Sequence, residues 1–311
     1  MNKNVLIAIA CFVLLNACGG GQAPARMVSE QVDRSTSHNV KARAAFERGD
    51  WALAMKFSSE ALRLSRSVED IVGTATNLVN IAAIYRARGD SDSAHETLRE
   101  LFNPVGIEYP EGMLVRGAIL KALLYIDSGD LDAASKWADK AEALCKSSRC
   151  QSISGVYNLK GRVLLLRDKV TESLKYARKG FGSSGGSGAE SGNSLRLMAD
   201  AYMALKEHAQ AEKFYGQTLE LDKKLGLPSK IALDLLGMGK ASIGAGNHEN
   251  ARQYLLRALD VSKSSSVRAQ GPSEETQEDI NVLLKTLEPA EEPKPFRAYL
   301  RDSVTLSLKS S

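Results

Sequence analysis

Aromatic residues make up only 6% of the 311-residue chain, and there are just eight prolines. Both scarcities argue against an all-β sandwich, whose strands favour aromatic side chains and whose many turns favour proline. Charge of one sign is not in excess either: 41 lysines and arginines against 37 acids leave a formal +4. That balance excludes a dedicated nucleic-acid binder, which carries a strongly basic face. Behind the N-terminal stretch there is no apolar run of the roughly eighteen residues that a membrane-spanning helix requires. What is present is 43% hydrophobic and 25% charged residues, enough to build a core and too apolar for wholesale disorder. The composition predicts an α-rich body.

The N-terminus is read apart from the fold. Lys3 precedes an unbroken apolar run of eleven residues, Val5 to Leu15. That is too short to cross a hydrocarbon core of about 30 Å and suits the h-region of a signal peptide. Leu15-Asn16-Ala17-Cys18 and then Gly19-Gly20-Gly21 follow. This resembles a bacterial lipobox, with Asn16 departing from the small residue usual at that position. The resemblance implies cleavage before Cys18, a thioether lipid on its sulfur and an N-linked acyl chain of the palmitate kind. It also implies a lipoprotein at the periplasmic face of the outer membrane, because Gly19 is not the aspartate that retains enteric lipoproteins at the inner membrane. The alternative is an ordinary secreted chain cut near Ala17. Residues 1–17 thus read as signal peptide and 18–34 as a flexible tether.

A repeat organises the rest. Polar turns recur at Gly49-Asp50, Gly89-Asp90, Gly129-Asp130, Asp168-Lys169, Lys206-Glu207 and Gly246-Asn247, at steps of 38–40 residues. Seven residues before each turn stands a small residue: Ala42, Ala82, Ala122, Gly161, Ala199 and Gly239. Five after it stands another: Ala54, Ala94, Ala134, Ser173, Ala211 and Ala251. Four before it, Tyr85, Tyr125, Leu164 and Tyr202 hold a large side chain, which repeats 1 and 6 replace by Ala45 and Ser242. Antiparallel helices approach closely only where the crossing point is small, and a polar turn lets the chain reverse between them. The columns resemble the tetratricopeptide repeat, with a longer period. The resemblance implies an all-α, right-handed α-solenoid of about six helix pairs over residues 35–268.

A capping helix is predicted over residues 272–288, with Ser273 as N-cap, acids in the first turn, and a stripe of Ile280, Leu283, Leu284 and Leu287 facing the last repeat. The Gly/Ser-rich stretch 182–193 is expected to be a flexible insertion, either a disordered bulge or a hinge. Residues 289–311 are expected to form a flexible tail or an added edge strand.

Candidate chemistry is thin. Gly182-Ser183-Ser184-Gly185-Gly186 matches G-x-S-x-G, but a helix rather than a strand is expected before it, so no nucleophile elbow forms. His95-Glu96-Thr97-Leu98-Arg99 has arginine where a zinc-binding helix needs its second histidine. His208 and His248 hold equivalent positions after their turns and read as solvated surface residues. Phosphate-loop and dinucleotide fingerprints are absent, so no catalytic residue, metal or cofactor is assigned beyond the lipid on Cys18, and no enzymatic activity is expected. Cys145 and Cys150 are either a disulfide, as an oxidising compartment favours, or two free thiols.

The expected function is a lipid-anchored scaffold that holds a protein or peptide in its concave groove, in the assembly of an envelope machine such as a pilus, secretin, secretion or outer-membrane protein system. A binding module for envelope polysaccharide or peptidoglycan is the alternative, and two Trp and nine Tyr are few for sugar stacking. In tetratricopeptide repeats the residue after the first small position, and the one four before that, face the groove. Here those columns hold Arg43, Ala83, Leu123, Arg162, Asp200 and Lys240, and Asn39, Val79, Ile119, Asn158, Arg196 and Leu236. With Arg86 and Arg116 beside them, the groove reads as cationic and suits an acidic segment or terminal carboxylate. Charge reversal at Arg162 and Arg196 is then expected to abolish binding while leaving the melting temperature nearly unchanged.

Overall fold

The computed structural model describes residues 29–148, 150–265 and 274–287. Among them thirteen α-helices follow one another, with no strand. The pairs are α1 (Glu30–Glu47) with α2 (Trp51–Ser67), α3 (Ile71–Ala87) with α4 (Ser91–Phe102), and α5 (Glu111–Asp127) with α6 (Leu131–Ser147). Then come α7 (Ile153–Leu166) with α8 (Val170–Ser183), α9 (Ala189–Ala204) with α10 (His208–Leu225), and α11 (Pro228–Gly244) with α12 (His248–Ser265). Helix α13 (Glu274–Thr286) closes the series. The chain is an all-α repeat fold of six pairs and a cap.

Local chemistry explains why each pair folds back. All six turn positions adopt positive φ: Gly49, Gly89, Gly129 and Gly246 at 70–79°, Asp168 at 60° and Lys206 at 61°. The left-handed residue lets the next amide reach back to the carbonyl five residues earlier, as from Asp90 to Tyr85 and from Glu207 to Tyr202, both at 2.9 Å. This satisfies carbonyls that a helix end leaves without partners. Asp50, Asp90 and Asp130 then cap the second helix, accepting from the amides of Leu53, Ser93 and Ala133 at 3.0, 3.1 and 2.9 Å. Asn247 does the same for Asn250. Lys169 and Glu207 make no such bond.

The small columns meet at the helix crossings. Ala54, Ala94, Ala134, Ala211 and Ala251 are fully buried, as is Ser173. A Cβ added to Gly161 would lie 2.5 Å from Leu197 Cδ2 and 3.3 Å from the Ser173 carbonyl. One on Gly239 would lie 2.8 Å from Leu255 Cδ2. Between crossings, Leu98, Leu101, Leu124, Leu235, Leu255 and Ile280 are fully buried, each contributing roughly 1.5–3 kcal/mol of burial.

Each helix packs on its sequence neighbours, and successive first helices also touch: α1 on α3, α3 on α5, α5 on α7, α7 on α9 and α9 on α11. No comparable contact joins successive second helices. The first helices are therefore the inner, tighter layer, and their free faces line the groove.

Several expectations change. Ser29 caps α1 at the Val32 amide, so residues 30–34, assigned to the tether, are helical. The Gly/Ser-rich stretch is mostly helix: α8 runs to Ser183, α9 starts at Ala189, and only residues 184–188 connect them. Ser184 and Ser191 share a 2.6 Å hydroxyl hydrogen bond and Ser191 is fully buried. Its small residues are needed for close packing, because a Cβ at Gly192 would meet Asp222 Oδ1 at 3.0 Å. The cap stripe behaves as expected, with Ile280, Leu283, Leu284 and Leu287 packed against the core of the last pair. The signal peptide, Cys18, the tether before Ser29, Ser273 and the tail 289–311 lie outside the described residues.

Candidate functional site

The inner layer opens into a chamber of about 830 Å³ where repeats 3, 4 and 5 meet. It is lined by the first helices α5, α7, α9 and α11 together with Gln151 and Ser152 at the entry to α7. The two groove columns supply Ile119 and Leu123 from α5, Asn158 and Arg162 from α7, and Arg196 and Asp200 from α9. Between them lies an apolar floor of Leu159, Leu165 and Leu197, with the exposed Leu166 and Leu233 on either side. The columns of repeats 1, 2 and 6 lie outside the chamber.

The charges inside it differ from the expectation. Arg196 is half-buried, and its guanidinium is taken up by the chain itself. Its Nε donates to Asp234 Oδ1 at 2.9 Å, and its Nη2 pairs with both Asp234 and Asp222, whose side chains are fully buried. Buried ions persist only when paired, so this guanidinium joins α9 to α10 and α11. Charge reversal there would set three carboxylates together in the core, contrary to the expected harmless substitution. Burial pushes the Asp234 carboxyl up to about 8, opposed by Arg196 and reinforced by Asp222. Asn158 is also structural: its amide donates to Glu190 O at 3.0 Å and Oε2 at 2.9 Å, and its Oδ1 accepts from Ser194 at 2.6 Å.

The other groove residues are dispersed. Arg43 is exposed in repeat 1 and pairs with Glu47. Asn39 accepts from Asn80 at 3.5 Å. Arg86 forms a bidentate pair with Asp127 across repeats 2 and 3, at 2.6 and 3.0 Å. Arg116 is exposed with Nη1 3.8 Å from the Met113 sulfur. Lys240 pairs with Asp279 of the cap at 2.9 Å. The strongly cationic groove is thereby corrected, because most of these charges meet a carboxylate of the chain itself. Arg116 and Arg162 are the exceptions: both are exposed and neither makes an ion pair among the described residues. Asp200 accepts from the Tyr215 hydroxyl at 2.5 Å, and burial raises its carboxyl.

Sequence reasoning passed over Asp222 and Asp234. The second left a signal, an acid inside the otherwise apolar Ile231–Leu236 stretch. It also passed over a ring eight residues after the turn with a lysine eight before it, as in Lys41/Phe57, Lys121/Trp137 and Lys160/Tyr176. Lys140 and Lys179 stack on the last two rings as well. The sulfurs of Cys145 and Cys150 are joined as a disulfide, with Cα atoms 4.8 Å apart. His208, expected in solvent, is half-buried against Gly244, while His248 is exposed. Ser184 follows a helix and donates to Phe181 O, so no nucleophile elbow is present.

The tetratricopeptide-repeat family profile matches residues 33–103 and 190–264. Those two segments are tetratricopeptide repeats. Solved structures share the arrangement. The apo form of RapI aligns at TM-score 0.59 and 14% identity, over 82% of this chain and 70% of its own. A Rap protein complexed with competence and sporulation factor aligns at 0.56 and 13%, over 81% and 71%. PilF of Pseudomonas aeruginosa aligns at 0.52 and 15%, over 77% and 96%. At such identities the tetratricopeptide likeness is one of fold. No curated protein matches the sequence.

Proposed function

We propose that this chain is a lipid-anchored, non-catalytic scaffold of the bacterial cell envelope that holds a segment of another protein in the groove of its first helices. The observation that carries the reading is the chamber: about 830 Å³, lined by four first helices, with an apolar floor and convergent polar groups. An apolar cavity with a few polar groups is the composition of a binding site. The repeat fold supports it, since one structure of the same fold holds competence and sporulation factor. The Leu15–Cys18 pattern supports attachment through a lipid on Cys18 at the periplasmic face of the outer membrane, with the body reaching a partner in an assembly machine.

The polysaccharide alternative finds less support. Sugar stacking needs open ring faces, and Trp137 and Tyr176 are each covered by two lysine ammoniums at 4.7–5.0 Å. Trp51 packs on Phe46.

Pull-down from cross-linked envelopes tests the reading, comparing the wild type with Leu166→Asp/Leu233→Asp. A protein recovered with the wild type and lost with the double variant is the expected result. Recovery of wall or glycan fractions alone contradicts it. Incorporation of labelled palmitate, lost in Cys18→Ser, checks the anchor.

A further inference from the structure

The chamber's charge arrangement narrows what it can hold. Two cations line it, Arg162 and Arg196. Arg196 is saturated by two buried carboxylates and offers nothing more to a ligand. Arg162, one helical turn after Asn158 on the same face of α7, is exposed and unpaired among the described residues. The acids in the wall accept their hydrogen bonds from elsewhere, although Asp200 also feels the charges of Arg196 and Arg162. Glu190 accepts from Asn158, and Asp200 accepts from Tyr215. Neither forms an ion pair with Arg162.

A segment with several acids would gain one guanidinium and meet the Glu190 carboxylate with like charge, a repulsion that strengthens where water is excluded. A segment with no charge would leave Arg162 desolvated without a partner, which costs free energy. The remaining surface is aliphatic, and Leu166 and Leu233 stay 49% and 40% exposed on either side of the floor. Large aliphatic side chains exposed beside a cavity are the anchors to which a partner's apolar residues attach.

We infer that the chamber takes a leucine-type apolar segment bearing one carboxylate, set over Arg162, rather than an acidic tract. This rests on the groove reading above and specifies its partner. Arg162 is then the residue that determines specificity, and the leucines supply most of the affinity.

The test selects a phage-displayed library of random dodecapeptides on the full mature chain, then measures the selected peptides on variants. The expected peptides are rich in Leu, Ile or Phe with a single Asp or Glu. Arg162→Glu should weaken them about tenfold or more, as expected for losing one charge-assisted hydrogen bond. Fresh selection on the Arg162→Glu protein should replace the acid by Lys or Arg. Leu166→Ser/Leu233→Ser should remove binding of every peptide while the far-ultraviolet circular dichroism is unchanged. Peptides that need the leucines but carry several acids, or ignore Arg162→Glu, overturn the single-carboxylate inference and leave the groove reading standing. Peptides indifferent to both leucines overturn the two together.

Discussion

Repeats 1 to 3 and repeats 4 and 5 solve the same problem by different means, and repeat 6 returns to the first with Gly246 and the capping Asn247. In the first three, each turn is a glycine in the left-handed region followed by an aspartate that caps the next helix. Repeats 4 and 5 place Asp168 and Lys206 in that strained region and have no capping side chain. In the second half the joints instead hold buried polar groups, Asn158 with Ser194 and Glu190, then Arg196 with Asp222 and Asp234. Two arginines show the difference directly. Arg86 reaches the next repeat at Asp127 with side chains 32% and 40% exposed, whereas Arg196 reaches the next repeat at Asp234 and is held between two fully buried acids. Glycine–aspartate turns recur through the first three repeats, while a buried charged network ties repeats 5 and 6 together. The chamber lies where the two halves meet.

The sharpest way to break this comparison is to remove each arginine. Arg196→Ala leaves the buried Asp222 and Asp234 without their cation and should cost about 3–5 kcal/mol in denaturant unfolding. Arg86→Ala should cost under about 1 kcal/mol, because its pair is solvent-screened. Equal losses would contradict the account.

A second test uses pH. Asp234 binds its proton with a value near 8 when folded, against an ordinary 3.8, so the folded state holds more protons across that window. Stability should therefore fall as pH rises from about 5 to 8, by at most about 1.4 kcal/mol per pH unit, and level off above. Asp234→Asn, which keeps the neutral form, should remove that slope. A wild-type melting temperature that is flat or rises over this range would contradict the raised Asp234 carboxyl.

Smaller effects sharpen the local side. Cys150→Ser opens a short loop and should lower stability by about 2 kcal/mol in the chain-entropy model. No change under non-reducing conditions would mean the thiols are free in solution. Lys206→Gly should raise stability by about 0.5–1 kcal/mol by relieving the left-handed strain. Gly89→Ala, with open space around its Cβ, should lose about the same amount. A loss on Lys206→Gly would show that the lysine itself holds the turn.

The same division decided what was legible. Turns, crossings and cap are coded by residues a few positions apart, so Gly-Asp at Gly89, the small pair Ala82 and Ala94, and the Ile280 stripe could be read directly. The groove register was legible for the same reason, and it placed Ile119, Leu123, Asn158 and Arg162 on one face. Whether a groove charge is free depends on residues 26 and 38 positions away, as Asp222 and Asp234 are from Arg196. No local pattern carries that. The Gly/Ser-rich stretch misled because its composition suits a linker, yet Gly192 is small where α9 approaches α10 and Ser191 bonds back to Ser184 and Ser187.

The measurement that tests the groove most directly is photo-cross-linking in the envelope. A benzoylphenylalanine at Leu123 or Leu165 lies in the chamber, while one at Leu256 lies on exposed α12, outside it. The account predicts a partner adduct from the first two positions, none from the third, and loss of that adduct when Leu166 and Leu233 are both replaced by aspartate. An adduct from Leu256 with none from the chamber would contradict it.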